Sequence, residues 1–364
     1  MIKYLIPFIF AFALSYVFTF FVKKFALQNK IVDDPTTRPD RKQQTRPIPL
    51  LGGLAIFLSF NIVVLLSSKW LLGGYMLSKY LIGIFIAGLI LMIGGYLDDK
   101  YDLSAKKQIV FPFLAGLIII ASGIGITYIT NPLGGIFYFN SLDFTLFKIN
   151  DLPYKITLLA DVFTLFWLMG MSYTTKILDG LDGLVSGLTV IGSFIIFCLS
   201  LSQEVAQPET AILAIILTGA CLGFLMFNFN PAKIYLGEGG SLYAGFMLGV
   251  LAIISGGKIA TALLIMGIPI LDLIWVIIRR LFREKKSPFK TSDRKHLHYQ
   301  LLDIGFSHRQ AVLFLYFLTA VFGVSSLFLQ GIGKLLALMI LAIVMAILGG
   351  VVVVKYRQNR KNLV

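Results

Sequence analysis

Long apolar runs alternate with short polar segments along the whole chain. Runs of ~18–20 apolar residues, enough to cross a bilayer as helix, recur near Tyr4–Val22, Leu50–Ser68, Tyr80–Leu97, Ile109–Ile126, Ile156–Tyr173, Gly183–Leu201, Thr210–Phe227, Leu242–Ser255, Ile259–Ile278, Ala311–Leu329 and Leu335–Val354. The pattern predicts an all-α polytopic membrane protein of about eleven spans, or about ten if the short eighth run breaks or tilts. The first run is too long for a signal-peptide core and no small-residue cleavage site follows it, so it is expected to stay as a span. Between Thr127 and Lys155, Gly134-Gly135 and the alternation Phe137, Phe139, Leu142, Phe144, Leu146 predict a small β-hairpin. No repeat, low-complexity tract or separate soluble domain is visible, so residues 1–364 read as one membrane domain.

Composition strengthens this reading. Of 364 residues, 57% are hydrophobic and mean hydropathy is +0.86, more apolar surface than a water-soluble fold could hide. The net charge of +14 does not indicate nucleic acid. Most of the 32 Lys and Arg lie in six segments that share one side of the membrane once the spans are threaded. By the positive-inside rule that side is cytoplasmic, with the amino terminus outside and the carboxyl terminus inside. Cys198 and Cys221 fall inside apolar runs and read as small core residues.

Five polar patches fall on that inner side: Asp33 to Gly53, Asp98 to Lys107, Lys176 to Asp182, Asn228 to Ser241, and Ser287 to Gln310. Asp98 and Asp99 close the third span at its carboxyl end, where they oppose the helix dipole and call for a cation, either Lys106, Lys107 or a divalent metal. Asp179 and Asp182 flank glycines in a tight turn suited to a ribose or base edge, and Asp182 is also placed to N-cap the sixth span. Lys176 could serve a phosphate or neutralise Asp179. Gly237-Glu238-Gly239-Gly240-Ser241 precedes the eighth span, whose free N–H groups suit a pyrophosphate if a metal bridges it to Glu238. A plain glycine turn with Ser241 as N-cap explains the same residues. This is not a P-loop.

His296 and His298 are two apart, on different faces of a helix, which argues against zinc, and they could act as donors to phosphate. Asp293 reads as a helix cap, Gly305 as a helix end, and Ser307 with Gln310 as a capping box. Lys and Arg elsewhere in that loop are explained by orientation and anionic lipid. Asp272, inside the ninth span, is a functional candidate or a partner for Arg279 or Arg280.

Together these patches resemble the polyprenyl-phosphate N-acetylhexosamine-1-phosphate transferases, nearer the WecA/TagO branch than MraY. The resemblance rests on Arg41-Lys42 with Pro47-Ile48-Pro49 and Gly52-Gly53, and on Asp98-Asp99 with Asp102-Leu103-Ser104-Ala105-Lys106. It rests equally on Asp179-Gly180-Leu181-Asp182-Gly183-Leu184, Gly237-Glu238-Gly239-Gly240-Ser241-Leu242 and His296-Leu297-His298, all in the family's order. It implies transfer of a sugar-1-phosphate from a UDP-sugar, such as UDP-N-acetylglucosamine, to undecaprenyl phosphate, with Mg²⁺ or Mn²⁺ and release of UMP.

It further implies Asp98, Asp99, Asp179 and Asp182 as the catalytic acids, and Asp99, Asp182 and Glu238 as metal ligands. Substrate would be held by Arg41, Lys42, Lys106, Lys176, Gly239, Gly240, Ser241, His296 and His298. A homodimer is left open. The chain departs from the family pattern at Gln44 (usually His), Tyr173 and Lys176 (usually Asn) and Glu238 (usually Asp), which bears on the donor sugar more than on the reaction class. Within the class, a phospho-muramyl-pentapeptide donor is the alternative, disfavoured by His-x-His in place of a triple histidine. Outside it, a transporter of an anionic solute competes, but the acids gather at one interface rather than the midplane. A lipid-binding scaffold would explain the basic loops but not the acid–glycine turns.

Overall fold

In the computed structural model, residues 1–35, 46–131, 133–139, 143–149, 152–256, 258–283 and 296–361 are described. The chain opens with α1 (Ile2–Gln28), and β1 (Val32–Asp33) pairs antiparallel with β2 (Ile48–Pro49). Then follow α2 (Gly52–Leu66), α3 (Ser68–Leu71), α4 (Ser78–Tyr101), α5 (Ala105–Gln108) and α6 (Val110–Ser122). Two hairpins come next, β3 (Tyr128–Thr130) with β4 (Ile136–Tyr138), and β5 (Asp143–Ile149) with β6 (Leu152–Thr157). The remainder is helical: α7 (Leu158–Leu178), α8 (Leu184–Ser200), α9 (Pro208–Asn228), α10 (Gly237–Ile254), α11 (Ile259–Ile265), α12 (Gly267–Ile278), α13 (Leu297–Asp303), α14 (His308–Phe328) and α15 (Ile332–Lys361).

The fold is thus all-α and polytopic, with the expected hairpin joined by a second one. Among the described residues, eight helices are long and apolar enough to cross a membrane, and α11–α12 makes a ninth if counted as one bent span. Two shorter apolar helices, α2 and α8, account for the remaining runs read from the sequence. The weak point was expected in the eighth span, but that helix is continuous because it starts at Gly237 and gains a turn from the glycine patch. The break lies in the ninth, where α11 and α12 meet at 79°.

Helix α10 is the centre of the bundle: 89% of its most apolar window is buried, against 11% for α15. Large apolar side chains on the rim, among them Phe20, Leu65, Phe166, Phe317 and Phe328, remain exposed, as expected where lipid is the solvent. Cys221 is buried, Cys198 partly so, and both are free thiols.

The central packing is set by glycine. A Cβ on Gly53 of α2 would lie 2.2 Å from the Gly240 Cα, and one on Gly95 of α4 would lie 2.1 Å from the Gly239 Cα. Both contacts are backbone against backbone, which only residues without a side chain allow. They draw the amino end of α10 against α2 and against the last turns of α4.

Two cap assignments need correction. Gly183, at φ +80°, is the N-cap of α8, so Asp182 stands just outside the helix and its carboxylate is used elsewhere. Because α10 begins at Gly237, Ser241 lies within the helix, where its Oγ donates to the Glu238 carbonyl at 3.1 Å. The Ser307–Gln310 capping box at the start of α14 is present.

Candidate active site

The carboxyl ends of α4 and α7 and the amino ends of α8, α10, α13 and α14 meet at one end of the bundle. Asp98 and Asp99 occupy the last turn of α4. Asp98 is 8% exposed. Its Oδ1 accepts the Leu103 N–H at 2.8 Å and the Gln108 Nε2 at 3.0 Å, and its Oδ2 lies 3.7 Å from the Lys176 Nζ. These partners compensate a carboxylate placed against an unfavourable helix terminus.

Asp99 points toward α10. Its Oδ1 accepts the Glu238 N–H at 3.1 Å, while its Oδ2 is buried with no hydrogen-bond partner. The free N–H at the start of α10 therefore already holds an anion, the protein's own carboxylate. A narrow crevice lined by Leu54, Met92, Tyr96, Asp99 and Leu236 opens beside it. The segment before α10 is tied to the start of α2, where Gly52 and Gly53 donate to the Tyr235 and Leu236 carbonyls at 2.9 and 2.8 Å.

Lys176, in the last turn of α7, links the acids. Its Nζ lies 2.7 Å from Glu238 Oε2 and donates to Gln108 Oε1 at 2.9 Å. It thus faces Asp98 and Glu238 rather than Asp179. Gln108 completes the connection by donating to Asp98 Oδ1 and to the Leu103 carbonyl through the other end of the same amide.

Asp179 caps α7 at the floor of the site. Its side chain is open to water on one side yet ringed by protein. Desolvation, then Glu238 and then Asp182, push its carboxyl above the ordinary range, an effect that water on the open side tempers. Gly180 follows, and a Cβ there would meet His298 Nε2 at 2.4 Å and the Tyr299 hydroxyl at 2.6 Å. The missing side chain lets α13 close over the turn.

Asp182 serves as an anchor. Its Oδ2 accepts Asn230 Nδ2 at 2.9 Å and the Ala232 N–H at 3.0 Å, and its own N–H donates to His308 Nε2 at 2.8 Å. Asn228 ties the same region: its Oδ1 accepts the Gly183 N–H and the Ser186 hydroxyl, and its Nδ2 donates to the Ile234 carbonyl.

His296 Nδ1 lies 2.9 Å from Asp272 Oδ2, and the Leu297 N–H donates to Asp272 Oδ1 at 2.9 Å, so Asp272 of α12 holds the start of α13. His298 is 1% exposed, stacks parallel to His296 with ring centroids 5.8 Å apart, and has no hydrogen-bond partner on either ring nitrogen. Burial lowers its pKa to about 3, so the ring is neutral near pH 7.

The structure thus brings Asp98, Asp99, Lys176, Asp179 and Glu238 into one constellation. It sets His296 and His298 beside that constellation and Asp182 beneath it. Gly239 and Gly240 form its packed wall. Lys106 is exposed on α5. Arg41, Lys42, Gln44 and Asp293 lie outside the described residues. Sequence reasoning missed Gln108, Asn230 and His308. Gln108 stood one residue beyond a flagged patch, while Asn230 and His308 lay inside flagged patches without being singled out.

A metal ion fits this donor set in a specific sense. Among the described residues no group of three or more His, Cys, Asp or Glu side chains forms a closed cage. Mg²⁺ takes one or two carboxylates and completes its shell with water and phosphate oxygens, so it needs no cage. The unpartnered Asp99 Oδ2 and the neighbouring Glu238 are such a pair.

Comparison with known proteins gives the relatives of the chain. A family model described as glycosyl transferase family 4 matches residues 81–256. A probable undecaprenyl-phosphate N-acetylglucosaminyl 1-phosphate transferase of Bacillus subtilis is 31% identical, over 94% of this chain and 89% of its own. A decaprenyl-phosphate N-acetylglucosaminephosphotransferase of Mycolicibacterium smegmatis is 31% identical, over 92% of this chain and 84% of its own. A phospho-N-acetylmuramoyl-pentapeptide-transferase of Bacillus thuringiensis is 30% identical, over 88% of this chain and 95% of its own.

Proposed function

The chain belongs to glycosyl transferase family 4, and from that premise we propose that it transfers a sugar-1-phosphate from a UDP-sugar to a polyprenyl phosphate at the membrane surface. The donor is UDP-N-acetylglucosamine or a related N-acetylhexosamine, and the acceptor is undecaprenyl phosphate. The site faces the cytoplasm, where UDP-sugars are made, and the amino terminus lies outside. The observation that carries this reading is the gathering of Asp98, Asp99, Asp179 and Glu238, from three distant stretches of chain, at one end of an otherwise apolar bundle.

An oxygen of the lipid phosphate attacks the β-phosphorus of the donor. The bond from that phosphorus to the bridging oxygen breaks, UMP leaves with the bridging oxygen, and the product is a polyprenyl diphospho-sugar. No net proton transfer is required when the attacking phosphate is fully ionised. Such chemistry depends on positioning and on charge neutralisation.

Asp98, fixed by Leu103 and Gln108, orients the incoming phosphate or takes its last proton. Asp99 and Glu238 are the residues that would hold Mg²⁺, or Mn²⁺, which supplies Lewis-acid stabilisation of the diphosphate charge when bound. Asp179 and the neutral His298 face the turn that Gly180 opens and line the nucleotide side. His296, held by Asp272, keeps α13 seated over that turn.

The decisive assay follows label from UDP-N-acetylglucosamine into organic-extractable lipid, in membranes carrying the protein, with and without Mg²⁺. Accumulation of unaltered donor with no labelled lipid would indicate transport and defeat the reading. A panel of UDP-sugars identifies the donor.

A further inference from the structure

Lys176 is the one described cation placed within the acidic constellation by an ion pair, and its surroundings are unusually complete. The side chain is 16% exposed. Its ammonium has three donors. One is taken by Gln108 Oε1 at 2.9 Å, another faces Glu238 Oε2 at 2.7 Å, and Asp98 Oδ2 lies at 3.7 Å. Those acceptors come from α5, α10 and α4, so the nitrogen is surrounded by oxygen on three sides. Gln108 is itself fixed by Asp98 and the Leu103 carbonyl, which aims its Oε1 at the lysine. The carboxylate oxygen closest to the ammonium belongs to Glu238, one of the two side chains fitted to hold a divalent ion.

We propose that Lys176 is a resident cation of the site, occupying Glu238 in place of the metal, so that a divalent ion binds tightly only after the lysine is drawn onto substrate phosphate. The inference rests on the transferase reading and deepens it. A single ammonium neutralises one of the four acids and leaves Asp99 Oδ2 unpartnered, so the site stays receptive to metal while being protected from filling too early. Arrival of a diphosphate offers the ammonium a better-charged acceptor a short side-chain swing away. Release of Glu238 then completes the carboxylate pair. Ordered binding follows, with nucleotide sugar favoured before metal or as its metal complex.

The test is binding of Mn²⁺ alone to the full-length protein in nanodiscs, read by electron paramagnetic resonance of the free ion, without substrate. The parent and K176R are expected to bind weakly. K176Q and K176M are expected to bind at least about tenfold more tightly, because losing the ammonium that lies 2.7 Å from Glu238 Oε2 frees that oxygen and removes a positive charge beside the incoming ion. Equal or weaker Mn²⁺ binding in K176Q and K176M would overturn the proposal. So would failure of both variants to fold, which would assign Lys176 to the architecture. The transferase reading is measured separately, by exchange of UMP into UDP-sugar by the parent at saturating Mg²⁺. Exchange with unchanged Mn²⁺ affinity in the variants would therefore sink the competition alone.

Discussion

The Asp99 carboxylate accepts the backbone N–H of Glu238 at 3.1 Å, so one acid of the site caps the helix that carries another. The two roles of Asp99 are divided between its oxygens: Oδ1 holds α10 and Oδ2 is free for a cation. They can be separated by mutation. Asp99→Asn keeps an acceptor for the Glu238 N–H and loses the charge, so UMP exchange should fall by about 100-fold or more while the thermal midpoint stays near the parent's. Asp99→Ala loses the cap as well and should cost a further ~1 kcal/mol of stability. Exchange near the parent level in the asparagine variant would remove Asp99 from the chemistry.

Gln108 touches both Asp98 and Lys176 yet carries no charge. Its part is to orient. Gln108→Leu should lower exchange by about 10-fold and change the Mg²⁺ concentration needed for half-maximal rate, with little loss of folded protein, because supporting hydrogen bonds of this kind tune their charged partners. A variant with the parent's rate and Mg²⁺ dependence would show that the amide is incidental.

Asp182 holds Asn230 and the Ala232 N–H with a single oxygen. Asp182→Ala leaves those donors without their acceptor and should destabilise the protein by about 2 kcal/mol. Asp182→Asn keeps one acceptor oxygen and should retain most of the stability. If the asparagine variant is fully folded and has no exchange activity, the carboxylate has a direct part in the reaction in addition to its anchoring role.

His298 predicts an acid-sensitive fold. Its folded pKa, lowered to about 3, lies below the ordinary value of 6.5 because burial disfavours the charged ring. Between those values the unfolded chain binds a proton that the folded chain does not. The favourable contribution is therefore complete above pH 6.5 and is lost as pH falls toward 3, by at most about 1.4 kcal/mol per pH unit. Thermal midpoints should decline across that window in the parent and decline less steeply in His298→Leu. Parallel pH profiles would show that the ring is not the titrating group.

Much of this arrangement was legible in the sequence because a membrane enforces it. Apolar runs must become helices, and polar residues between them must collect at an end, so the convergence of Asp98, Asp99, Asp179 and Glu238 followed from the threading. The Ser307–Gln310 box was equally readable because it depends only on neighbours in sequence. What failed depended on contacts between distant segments. Asp182 has the spacing of a helix cap, but Gly183 takes that place and frees the carboxylate for Asn230, forty-eight residues away. Ser241 looked like a cap because nothing local reveals that Asp99 of α4 would let α10 start a turn earlier. The bend between α11 and α12 had a local signal that the hydrophobic pattern masked: Gly267 and Pro269 stand at the break, and Pro269 cannot donate to the Ile265 carbonyl that ends α11.

The contacts of Gly53 with Gly240 and of Gly95 with Gly239 bear on turnover as well as on packing. Main chain lying on main chain has no rotamers to exchange and no gap to close, so these three helices form an anvil rather than a hinge. Admission of a long lipid and departure of its enlarged product must therefore be accommodated by other parts of the bundle, while the acids that receive them hold still.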